Sequence, residues 1–298
     1  MSRSPNPVAG VLPAGVLPLG LGCSRLGSVN GASASEARVL LKHALDEGIR
    51  FFDTSNIYGQ GDSERLLAEV LGRREDCVIC SKAGRYLDWK KRLLLPLKGA
   101  LRGLARRSGQ TRQTIASARA KPMPTRWEPG FLLGSLDASL RRLNRSQIEI
   151  FMLHSPDAEV MRRGDAIGAL EQAQAAGKIG IIGVSVDDVA SAEAALRDPR
   201  VRALQLPLRP GETEFDAIAG QAAAVGVAVI AREVLGGAAA IAGAVAPAAY
   251  ARARIIDMVH NPAVAMSLVG TTKSANLSAA TAAARAGLGR GEGAQVTQ

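Results

Sequence analysis

A carboxylate, a phenol, an ammonium and an imidazole stand at the ends of consecutive apolar runs in this 298-residue chain. The strand-like "IRFF" at 49–52 stops at Asp53, and Tyr58, one of three tyrosines, follows in the polar turn "TSNIYGQG". Lys82 closes "CVICSK", and His154, one of three histidines, closes "IEIFMLH". Such a set can protonate an oxygen that gains negative charge. Reducing a carbonyl by hydride transfer makes such an oxygen, an alkoxide that must be protonated as it forms. Tyrosine, with an ordinary pKa of about 10, is a slow acid at neutral pH. An ammonium beside the phenol stabilises phenolate, each pKa unit being about 1.4 kcal/mol. Lys82 is the expected ammonium and Asp53 the carboxylate that keeps it charged and in place. His154 is expected to orient the carbonyl oxygen.

Positioning such groups requires strands that end at one place. "LPLGLG" reads as a strand, and 33–48 as a helix capped by Ser33 or Ser35 and stopped by Gly48. "IRFFD", a helix over 62–72 and "CVICSK" come next. A helix over 128–143 follows, with Leu132, Leu133, Leu136, Leu140 and Leu143 on one face, and then "IEIFMLH" and a helix over 165–176. The alternation continues through "IGIIGVS", a helix ending at Arg197, "ALQL", a helix over 212–225, "VAVIA" and helical sequence to His260. It closes with "VAMSLVG" and a helix over 274–286. Strands alternating with helices argue for a parallel sheet, because parallel pairs need helical crossovers. Eight such units predict a closed (β/α)8 TIM barrel, with an N-terminal capping hairpin from 8–17 and a long basic insertion after the third strand. The expected organisation is a single domain over 1–286, containing the insertion 86–127, followed by a flexible tail over 287–298. In such a barrel the working groups sit at the C-terminal strand ends. Asp53, Lys82, His154, Ser185, Gln205, Arg232 and Thr271 all fall there.

Composition narrows the function classes. The net charge of +10 resides in one segment: residues 88–126 carry eleven basic side chains against one acid, Asp88, and the rest is formally neutral. No general nucleic-acid affinity is therefore expected. The segment reads as a solvated insertion or as a lid over an anionic ligand. Cys23, Cys77 and Cys80 make no disulfide framework, which fits a reducing cytoplasm. Cys77 and Cys80 lie three apart on a strand, facing opposite sides, and read as inert buried thiols. "VAGVLPAGVLPLGLGC" resembles a secretion signal, but Pro13 and Pro18 interrupt it and favour strand–turn–strand. No run reaches the ~20 apolar residues of a membrane span.

Several stretches together resemble the aldo-keto reductase family: "LGLGCSRLG" (19–27), "GIRFFDTSNIYGQGDSERLLAEVL" (48–71), "ICSKAG" (79–84), "SLDASLRRLNRSQIEIFMLHSPD" (135–157), "KIGIIGVS" (178–185) and "SLVGTTKSANL" (267–277). The resemblance implies that Asp53, Tyr58, Lys82 and His154 are the family's catalytic four. It implies NADPH, with NADH as the alternative, and assigns no metal. Gly22, Cys23 and Ser24 would line the nicotinamide, while Ser185 and Gln205 would hold its carboxamide. Arg232 replaces the aromatic that commonly stacks on that ring, and its guanidinium plane can stack too. Gly270, Thr271, Thr272, Lys273 and Asn276 would grip the adenosine phosphate at a helix N-terminus, Lys273 favouring NADPH. Two departures stand out: Val186 replaces the Asn that usually follows the serine, and Ala279-Ala280 replaces a Glu-Asn pair. The implied substrate is a small carbonyl compound or sugar, anionic if the basic segment recruits it. The implied alternatives are a sugar or alcohol dehydrogenase and a cofactor-binding regulatory protein on the same fold.

Overall fold

Eight parallel strands close into a barrel in strict sequence order, each hydrogen-bonded to the next and the last to the first. They are β1 (Leu19–Gly22), β2 (Phe51–Asp53), β3 (Val78–Ala83), β4 (Ile148–His154), β5 (Ile179–Ser185), β6 (Ala203–Pro207), β7 (Ala228–Arg232) and β8 (Val264–Val269). The computed structural model describes residues 15–28, 31–86 and 123–292. The expected capping hairpin at 8–17 and the expected insertion at 86–127 therefore lie outside the described residues, except at their margins.

Two apolar layers follow from the alternation of strand side chains. The barrel interior is filled by Phe51, Val78, Cys80, Ile150, Met152, Ile181, Ala203, Ile230, Met266 and Leu268, among others. The opposite strand faces pack against the helices, and Cys77 joins that outer layer while Cys80 belongs to the inner one. Both thiols are free and buried, and burial raises Cys77 to about 11.

Helix α1 (Ala34–Asp46) starts at a capping box in which the Ser33 hydroxyl accepts from the Glu36 N–H and the Glu36 carboxylate accepts from the Ser33 N–H. Its apolar stripe, Ala37, Leu40, Leu41 and Ala44, is buried. Helix α2 (Asp62–Leu71) carries the fully buried Glu64. That carboxylate accepts from the Ser81 hydroxyl at 2.7 Å and from Arg142 Nε at 2.6 Å, which ties α2 to β3 and to α3 (Pro129–Leu143). A paired, fully hydrogen-bonded buried charge is tolerated where a lone one is not.

A short helix, α4 (Ala158–Arg163), precedes α5 (Asp165–Ala175) and has no counterpart in the sequence reading. It is started by Asp157, whose carboxylate accepts from the Val160 N–H. The ring continues with α6 (Val189–Leu196), α7 (Asp216–Ala224), α8 (Gly237–Gly243) and α9 (Pro247–His260). The last helix, α10, runs from Ser274 to Glu292. The expected tail from 287 is corrected accordingly: Gly287 is buried against Val259, and its carbonyl accepts from His260 Nε2 at 2.9 Å. Residues 293–298 lie outside the described residues. Among those described, no helix is long and apolar enough to cross a membrane.

Candidate active site

The interior-facing rows of the barrel turn polar at one end. Phe51 on β2 is followed two residues later by Asp53, Cys80 on β3 by Lys82, and Met152 on β4 by His154. Ala203 on β6 is likewise followed by Gln205, and Ile230 on β7 by Arg232. Because side chains two apart share a face, each polar group is the next step of an inward row. Register does the rest, setting His154 beside Ser185 and Ser185 beside Gln205.

Lys82 is the hub. Its Nζ donates to Asp53 Oδ1 at 2.5 Å and to the Thr54 carbonyl at 2.9 Å, with its side chain fully buried. Gln205 Nε2 donates to the same Asp53 oxygen at 2.8 Å, and Gln205 Oε1 accepts from the Ser185 hydroxyl at 2.8 Å. Burial opposes the charge on Lys82, yet Asp53, helped by Tyr58 and Cys80, outweighs it and leaves the ammonium above its ordinary pKa. The lysine is therefore charged at neutral pH. Burial, with Lys82, Arg85 and Arg232 adding to it, holds His154 well below the ordinary histidine range, so its ring is neutral.

Tyr58 begins a 3-10 turn, Tyr58–Gly61, in which Gly59, Gln60 and Gly61 all take positive φ. A Cβ on Gly59 would lie 2.6 Å from the Leu26 carbonyl, so only glycine lets the turn close against the loop after β1. The half-buried Tyr58 ring meets His154 edge-on, with centroids 5.9 Å apart, and Lys82 Nζ lies 5.3 Å from the phenol's centroid. The pairing of ammonium and phenol matches the sequence expectation, but its net effect does not. Burial raises the Tyr58 pKa, and the opposing pull of Lys82 offsets it only in part. The sequence shows the neighbour and hides the desolvation.

A rim of charge surrounds the mouth. Asp187 accepts from Arg85 Nη2 at 2.7 Å and from Arg232 Nη2 at 2.5 Å, and Arg232 also pairs with Glu233 and donates to the Val186 carbonyl at 2.8 Å. Glu233 in turn accepts from Arg209 Nε at 2.6 Å. The guanidinium plane of Arg232 is thus clamped along its edges. The margins of the basic insertion also meet here. Arg85 bridges Thr125, Tyr86 N–H donates to the Pro124 carbonyl at 3.0 Å, and Arg126 N–H donates to the Gly84 carbonyl at 2.8 Å. Trp127 packs against Gly84, where a Cβ would fall 2.1 Å from the indole and φ is +117°. Gly84→Ala should therefore lower stability by about 1–3 kcal/mol in a urea melt; a variant as stable as the parent would mean that Trp127 moves freely.

The residues expected to hold a dinucleotide occupy the β1 and β8 ends, which are neighbours in the barrel. A Cβ on Gly22 would lie 3.9 Å from the Gly270 Cα, and nothing lies within 4 Å of one on Gly270. Cys23 is buried with its thiol donating to the Leu21 carbonyl at 3.4 Å, whereas Ser24 is exposed. Thr271 Oγ1 accepts from the Lys273 N–H at 3.1 Å, shaping the loop before α10, and Thr272 is half-buried. Lys273 and Asn276 are exposed at the start of that helix. An open shelf, a cation and a helix N-terminus fit a phosphate-bearing cofactor. At the two departures the structure offers no polar side chain: Val186 is buried, and Ala280 packs inside. Sequence reasoning missed Ser55, Asn56, Arg85 and Asp187, which enter the site through contacts distant in sequence.

A family model described as "Aldo/keto reductase family" matches residues 18–254. Over 176 residues the chain is 29% identical to the 6-dehydroglucose reductase of Novosphingobium aromaticivorans, covering 57% of this chain and 47% of that one. It is 28% identical over 202 residues to the NADP(+) aldo-keto reductase yakc of Schizosaccharomyces pombe, covering 66% and 51%. The matches thus span about half the length of these curated relatives. An aldo-keto reductase from Bacillus halodurans in its holo form superposes with a TM-score of 0.70 at 18% identity, covering 89% of this chain and 86% of that one. One from Klebsiella pneumoniae in complex with NADPH gives 0.65 at 18%, covering 92% and 86%. At such identities these two structures speak for the fold.

Proposed function

The chain belongs to the aldo/keto reductase family, and from that premise we propose that it is an NADPH-dependent oxidoreductase that reduces an aldehyde or ketone to an alcohol, with Tyr58 as the general acid. The observation that carries this reading is Lys82 set between Asp53, at 2.5 Å, and the Tyr58 ring, at 5.3 Å. Gly22, Cys23 and Ser24 would line the nicotinamide, which would supply the hydride, and Gly270–Asn276 would hold the adenosine phosphate; NADPH appears with the Klebsiella structure and NADP(+) in the yakc name. Burial keeps the Tyr58 phenol protonated at neutral pH, so the acid is loaded before substrate arrives. When the proton leaves for the developing alkoxide, the Lys82 ammonium stabilises the phenolate left behind. Asp53 and the Thr54 carbonyl fix the ammonium, and Gln205 and Ser185 fix Asp53. Because each step is reversible, the same groups serve alcohol oxidation, and one relative is named pyridoxal 4-dehydrogenase.

Cofactor binding tests the reading at its base. Fluorescence titration should show NADPH binding below millimolar concentration and more tightly than NADH. Lys273→Ala should weaken NADPH about fivefold, the ~1 kcal/mol of an exposed charge pair, and leave NADH nearly unchanged. Failure of both dinucleotides to bind in that range sinks the proposal. A screen of NADPH oxidation over aldehydes, ketones, sugars and quinones then identifies the substrate class.

A further inference from the structure

The catalytic reading leaves the two ring nitrogens of His154 unequal without saying how. We infer that His154 carries its proton on Nδ1 and presents an unprotonated Nε2, because a one-way chain of hydrogen bonds starting at the Arg85 carbonyl leaves no other assignment.

The chain begins with an atom that can only accept. The Arg85 carbonyl oxygen lies 3.3 Å from the Asn56 side-chain amide. Only the NH2 end of an amide is tolerated against a carbonyl, so Asn56 Nδ2 faces Arg85 and Asn56 Oδ1 faces the other way. That oxygen is itself acceptor-only, and it lies 3.1 Å from the Ser55 hydroxyl. Ser55 must therefore give its single proton to Asn56. The other acceptor within reach of that proton, the Lys82 carbonyl at 3.4 Å, would turn it in the same sense, away from the histidine.

With its proton committed, Ser55 Oγ offers His154 only lone pairs. His154 Nδ1 lies 3.1 Å from Ser55 Oγ, and both side chains are buried. Two lone pairs facing each other at that distance, away from water, repel; a proton on Nδ1 turns the contact into a hydrogen bond. The ring is neutral at this site, so a proton on Nδ1 means none on Nε2. Reversing the arrangement would break one hydrogen bond and set Ser55 Oγ against Asn56 Oδ1 at 3.1 Å with no proton between them.

Ser55 and Asn56 are then positioning residues that act through His154. Their effect is to make the histidine a hydrogen-bond acceptor at the reaction centre, able to take an O–H from an alcohol or a hydroxyl-bearing substrate. A carbonyl oxygen, which has only lone pairs to offer, is left to Tyr58 alone. The tautomer itself does not depend on the proposed activity; its consequence for turnover rests on that reading.

The test is nitrogen-15 NMR of histidine-labelled protein, with no dinucleotide or substrate present. Of the three histidines, His154 is identified by the signals lost in His154→Gln. The unmodified protein should show two-bond couplings and nitrogen shifts of a neutral ring protonated on Nδ1. A ring protonated on Nε2, or an even mixture, overturns the inference. Ser55→Ala removes the lone pairs that hold the Nδ1 proton, and the population should move toward Nε2–H. An unchanged tautomer in that variant also overturns the chain of reasoning. Because the readout needs no turnover, its outcome stands apart from whether the protein reduces carbonyls.

Discussion

Tyr58→Phe is expected to lower kcat by at least about a hundredfold, the lower end of what a positioned general acid contributes, while NADPH affinity stays within about twofold. The phenyl ring keeps the edge-on contact with His154 and the cation above its face from Lys82, so the fold at the mouth should hold. What disappears is the one hydroxyl proton available to the developing alkoxide. Steady-state NADPH oxidation, paired with fluorescence titration, separates the two effects. Turnover within about tenfold of the parent would remove Tyr58 from the acid role.

Lys82→Met is expected to remove turnover and also to destabilise the fold by about 3–5 kcal/mol, the usual penalty for leaving one member of a buried ion pair alone. Asp53, 5% exposed, would keep Gln205 and the weakly donating Cys80 thiol as side-chain donors. Lys82→Met combined with Asp53→Asn discharges the orphan and keeps an oxygen for Gln205; it should recover most of the stability and none of the activity. Urea melts and NADPH oxidation check the two halves. A single variant as stable as the parent would mean that solvent reaches Asp53. The pH dependence follows from the sign of the shift. Lys82 has a folded pKa above its unfolded one, so its stabilisation is complete below the ordinary lysine value, about 10.4. It fades only as pH rises through the raised value, so Lys82 predicts no loss of stability from neutral pH to mild alkali.

The fold was legible because its signals are local and repeated. Apolar runs such as "IEIFMLH" and "IGIIGVS" carry the strands, and stripes such as Leu132, Leu136, Leu140 and Leu143 carry the helices. The placement of Asp53, Lys82 and His154 was legible for a further reason: each continues the two-residue rhythm of an inward row, a pattern present in the sequence itself. Helix α4 escaped because it is six residues long, although Asp157 three before Val160 is a capping signal. The tail was read as frayed from its glycines, but a contact with His260 and Val259 extends the helix. Burial explains the remaining misses. Nothing near Tyr58 in sequence says that desolvation outweighs Lys82, and the partners Ser55 and His154 stand 99 positions apart.

The paired margins of the basic insertion have a consequence for how this chain tolerates change. Gly84 to Arg126, Tyr86 to Pro124 and Trp127 on Gly84 bring the two ends together by contacts that lie outside the intervening sequence. The barrel is therefore insulated from the length of what lies between, since closure entropy grows slowly and a doubling adds only about 0.6 kcal/mol. The stem works as a socket: it fixes the end of β3 by contacts of its own.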